Sequence, residues 1–74
     1  MFSKEQIAGI KNYAMAAKEL DDNKNNRWKF NALNDKRNAA FSAMKNLLTP
    51  EEVTSLLSFP VSLILAAVEK MESK

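Results

Sequence analysis

Apolar residues recur at spacings of three and four through this chain, and no segment alternates apolar and polar with the period of a strand. That periodicity predicts an all-α fold. Local start and stop signals then place the ends of each helix, and its apolar positions give the side it buries.

The stretch "FSKEQI" carries a complete start signal: Ser3 caps, Gln6 can return a bond to the Ser3 N–H, and Phe2 can staple onto Ile7. Ile7, Ile10, Ala14, Ala17 and Leu20 then repeat at helical spacing, so the first helix is predicted over about residues 4–20. Gly9 inside it costs about 1 kcal/mol relative to alanine, which points to a close helix crossing.

"DDNKNN", residues 21–26, gathers turn-forming side chains and no apolar one, so it reads as a loop. Beyond it Phe30, Leu33, Ala40, Phe41, Met44, Leu47 and Leu48 fall within an arc of about 120° on a helical wheel. A long second helix over about residues 25–47 follows. Trp28, Ala32, Ala39 and Ala43 form a weaker apolar strip on its other edge, which predicts a central helix contacted from two sides.

"LTPEE" is the next start: Thr49 caps, Pro50 takes the first helical position, Glu52 completes the capping box and Glu51 favours the helix dipole. A short third helix is predicted over about residues 50–57. Ser58 can cap again and Pro60 fits a first turn, which predicts a fourth helix over about residues 59–72. The four helices are expected to form one domain, residues 1–74, with no internal repeat.

A chain of 74 residues without cysteine has no disulfide to staple it and buries only about 60% of its unfolded surface, so self-association would help it. The first residues show no signal-peptide pattern, and the longest uncharged run, Val53 to Val68, is shorter than the roughly 20 apolar residues that cross a bilayer. A cytoplasmic protein without membrane contact is the expectation.

With no histidine and no cysteine, the commonest base, metal ligand and nucleophile are missing. The carboxylate pairs Asp21–Asp22, Glu51–Glu52 and Glu69–Glu72 fall in a loop, a cap and a solvated helix end. A single glycine cannot form a phosphate loop, and residues 21–26 lack the glycine and final glutamate of a calcium loop. The expectation is a non-enzyme with no cofactor, metal or small-molecule substrate.

Residues 50–68 resemble the bihelical unit of the helix-turn-helix family. Val53, Leu57, Phe59 and Ile64 fall where that family keeps apolar residues; Ser58 stands where it usually has glycine and Thr54 where it usually has alanine. The resemblance implies a second helix presenting Val61, Ser62, Leu65, Ala66 and Glu69 to DNA. Apart from Ser62 nothing there donates a useful hydrogen bond, and Glu69 would repel phosphate. A helix apolar on every side should instead be covered by protein. Val61, Leu65 and Val68 are therefore the expected interface, used in homodimerisation or in docking onto a protein partner.

Charge is concentrated in the middle: residues 24–48 hold six Lys and Arg against one acid, in a chain of net charge +2. On the second helix Arg27, Asn31, Asn34, Asn38 and Lys45 line up, with Arg37 nearby and Trp28 between Arg27 and Lys29. These side chains suit an acidic partner or, alternatively, nucleic acid, with Trp28 stacking on a base. The plainer reading is a solvated stripe beside a half-buried tryptophan.

Overall fold

The computed structural model describes residues 2–72, which fold into four helices: α1 (Lys4–Asp22), α2 (Arg27–Leu47), α3 (Pro50–Leu57) and α4 (Val61–Glu72). It is a small all-α domain, as the periodicity predicts.

Both capping boxes are formed. Ser3 Oγ accepts from Gln6 N at 3.2 Å while Gln6 Oε1 accepts from Ser3 N at 2.8 Å. Thr49 and Glu52 repeat the arrangement at 3.2 and 2.9 Å, with Pro50 opening the helix. Gln6 also ties the start of α1 to the end of α2, because its Nε2 donates to Leu47 O at 2.9 Å.

Three predicted ends move. α1 continues to Asp22 because Asn23 closes its last turn, Nδ2 donating to Glu19 O at 2.9 Å. α2 starts at Arg27 because Asn26 takes the cap, its Oδ1 accepting from Trp28 N at 3.2 Å. α4 starts at Val61, not at residue 59. Ser58 spends its hydroxyl on the end of α3, donating to Ser55 O at 2.6 Å, so it does not cap α4. Pro60 then stands just before the helix, with its carbonyl accepting from Leu63 N and Ile64 N.

The middle of the molecule belongs to α1, not to α2. Helix α1 packs against both α2 and α4 and supplies Ile10, Ala14 and Ala16 to the interior, whereas α2 fully buries only Met44. Small side chains explain the exchange of roles. Alanines at 14 and 16 and the glycine at 9 let a neighbour approach closely on either side of α1. An ideal Cβ built on Gly9 would lie 2.9 Å from Leu47 Cδ1 and 3.7 Å from Met44 Cα, so the close crossing is present and its partner is the last turn of α2.

The core joins Ile10, Ala14, Met44, Ile64 and Val68, with Phe2, Ile7, Tyr13, Phe41, Leu48, Leu56, Val61, Leu65 and Met71 packed around it. Tyr13 and Phe41 place their ring centroids 5.5 Å apart at an interplanar angle of 55°, a tilted aromatic contact between α1 and α2. The second apolar strip of α2 is left uncovered: Trp28, Ala32, Ala39 and Ala43 are all exposed. With α1 occupying the centre, no helix remains to pack on that edge. No single helix among the described residues is long and apolar enough to cross a membrane; α3 and α4 together reach the required length but are bent by 117° at their break.

Candidate functional site

The bend between α3 and α4 creates a concavity lined wholly by apolar residues that joins separate parts of the chain. Phe2 stands just before α1 and Ile10 within it, Leu56 comes from α3, Phe59 from the turn, and Leu63, Ile64, Ala67, Val68 and Met71 from α4. They enclose a groove of about 250 Å³. Its floor is the core itself, Ile10, Ile64 and Val68, while its lip stands in water: Phe59 and Leu63 are each 52% exposed. Exposed apolar side chains gathered at a groove mark an interaction surface more often than scattered ones do. Beside it, Glu51, Glu52 and Ser55 line a more open depression that shares Phe2, Leu56 and Phe59.

The three residues expected at an interface are not the exposed ones of α4. Val68 is 1% exposed and belongs to the core, and Val61 and Leu65 are half-buried against it. Packing of α4 on α1 selects the Val61–Ile64–Leu65–Val68 side because those four residues share one face over two turns. The face left outside carries Leu63, Ala66 and Ala67. Leu63 and Phe59 were legible as apolar but not as exposed. In a helix apolar on every side the wheel cannot choose a face, and Phe59 reads as the first residue of α4 until Ser58 is seen to finish α3.

The 117° bend of α3 against α4 falls within the range of about 90–120° typical of a helix-turn-helix. The side chains that would read DNA do not improve on the sequence. Ser62, Ala66 and Glu69 are exposed and Val61 and Leu65 are half-buried, so this face offers one hydroxyl and one carboxylate.

The polar face of α2 is assembled more fully than its sequence implies. Arg27, Trp28, Asn31, Asn38 and Lys45 are exposed, and Asn34 and Arg37 are half-buried. Arg37 is turned to its own helix: Nη2 donates to Asn34 Oδ1 at 3.1 Å and to Asn38 Oδ1 at 3.0 Å. Both carboxamide oxygens are thereby engaged, and the two Nδ2 groups are the donors that remain. Trp28 is 97% exposed, so the half-buried tryptophan of the plainer reading is not what the fold builds. Asn26 holds its backbone at the very start of α2, and no described residue covers the indole.

Among the described residues no group of His, Cys, Asp or Glu side chains could hold a metal ion. Compared with known protein families, curated proteins and solved structures, the chain gives no match.

Proposed function

We propose that this chain is a small non-catalytic regulatory protein that acts by protein–protein binding and pairs with a second copy of itself through the α3–α4 groove. The observation that carries the reading is the all-apolar groove whose lip residues, Phe59 and Leu63, are half exposed. A two-fold pairing uses the same patch twice, and this patch is suited to it: Phe59 projects at the lip of a hollow that a partner's Phe59 can fill. The absence of histidine and cysteine from the sequence supports binding over catalysis. Function would follow from occlusion or bridging, with apolar burial supplying affinity.

Sedimentation equilibrium across a wide concentration range tests the pairing. Wild type is expected to be dimeric, and Leu63→Glu, which places a charge on a side chain that the monomer leaves half exposed, is expected to weaken the dimer by at least about tenfold with its helicity intact. A monomer at every concentration, or a dimer indifferent to Leu63→Glu, would overturn the proposal. Leu65→Glu is not a usable probe, because Leu65 packs against the core and its replacement would unfold the domain.

A further inference from the structure

The polar face of α2 lies outside the groove and calls for a ligand of different chemistry. Arg27, Asn31, Asn34, Asn38 and Lys45 follow one another at spacings of four, three, four and seven, and so share a face along about 27 Å of helix. Among the described residues Arg27 and Lys45, like Lys24 and Lys29, have no ion-pair partner. Arg37 fixes the orientation of the amides between them: its Nη2 engages the oxygens of Asn34 and Asn38, so that this part of the face offers N–H donors. Donors and cations in a row fit an acceptor-rich, negatively charged ligand. Next to Arg27, about 100° round the helix from the row, stands Trp28, 97% exposed, whose uncovered indole offers a flat apolar surface.

We propose that α2 is a platform for single-stranded nucleic acid, on which Trp28 stacks an unpaired base while Arg27 and Lys45 meet phosphates and the Asn34 and Asn38 amides donate to the backbone. The stacking residue decides between single and double strands, because paired and stacked bases present no free face to an indole. The surroundings of Trp28 decide against a lipid surface: the exposed strip it shares with Ala32, Ala39 and Ala43 holds no second large apolar side chain, and Asn25, Asn26, Arg27, Lys29 and Asn31 flank the indole. The acids nearby do not cancel the charge. Asp22 is held by Lys18 at 2.7 Å and Glu19 by Lys36 at 3.6 Å, which leaves Asp21 and Asp35, the only acid on α2, against Lys24, Arg27, Lys29 and Lys45. Arg37, a candidate contact by its charge, becomes a positioning residue that sets the amides.

Trp28 is the only tryptophan in the chain, so its fluorescence reports on this site directly. Titration of the whole protein with oligodeoxythymidylate at low salt is expected to quench the emission, and rising salt to reverse it. Trp28→Ala, followed by the anisotropy of a labelled oligonucleotide, is expected to bind about tenfold more weakly at unchanged helicity. Lys45→Gln is expected to lower the slope of log affinity against log salt by about 0.7. Absence of quenching, equal affinity for a duplex, or wild-type affinity in Trp28→Ala would each overturn the proposal. So would a blue shift on phosphatidylserine vesicles without any response to the oligonucleotide, which would assign the face to membranes. None of these readouts depends on the α3–α4 groove.

Discussion

Gly9→Ala tests the crossing on which the packing of α1 and α2 rests, and the geometry decides the sign. Alanine in a helix interior is favoured over glycine by about 1 kcal/mol. The added Cβ would lie 2.9 Å from Leu47 Cδ1, too close to keep, while the backbone neighbour, Met44 Cα, is at an ordinary 3.7 Å. The clash is therefore with the end of a flexible side chain, and Leu47 is 37% exposed and free to turn toward water. Displacing it costs about 0.5 kcal/mol if the new rotamer is moderately strained. The Gln6 bond is not threatened, because it uses the Leu47 carbonyl and not its side chain. The net expectation is a gain of about 0.5 kcal/mol, which in a domain of this size raises the melting temperature by about 2–4 °C. Thermal unfolding followed by circular dichroism measures it. Repeating the substitution in Leu47→Ala removes the clash, and there the gain should approach the full propensity difference of about 1 kcal/mol. A loss of about 1 kcal/mol or more on Gly9→Ala, against the propensity gain expected, would mean that Leu47 cannot move and that the spacing of the two helices requires a bare backbone at residue 9.

Three further substitutions probe other parts of the same fold. Met44→Ala, at a residue with 0% exposure in the centre of the core, should cost about 2–5 kcal/mol in urea denaturation, whereas Met15→Ala, at 53% exposure, should stay within about 0.5 kcal/mol of wild type. Lys18 has a pKa raised above 10.5, first because it donates a hydrogen bond to the Asp22 carboxylate and next because that charge attracts it. A group whose pKa is higher folded than unfolded stabilises the fold below the unfolded value and loses that contribution as pH rises through the folded one. Melting temperatures taken through the alkaline range should therefore fall less steeply in Asp22→Asn than in wild type. An identical slope in the two proteins would show that the ion pair is not the cause.

The helices and most of their limits were written in local sequence. Ser3 with Gln6, Thr49 with Glu52, and Pro50 all act within four residues, so their hydrogen bonds are decided before any two helices meet. The short-range choices that sequence left open were those with two local uses. Ser58 could cap α4 or close α3, and it closed α3.

Burial was decided by the third dimension. A helical wheel shows that α4 is apolar all round and that α2 has two apolar strips, but it cannot say which strip finds a partner. The small residues of α1 drew both neighbours onto that helix, which buried Val68, left Phe59 and Leu63 on the lip of a groove, and left the Trp28 strip uncovered. Arg37 falls on the local side of this division, because its partners Asn34 and Asn38 lie three residues before it and one after it on the same helix. Local hydrogen bonding thus set what each segment would be, and competition between apolar faces for a limited number of neighbours set which apolar residues stay exposed.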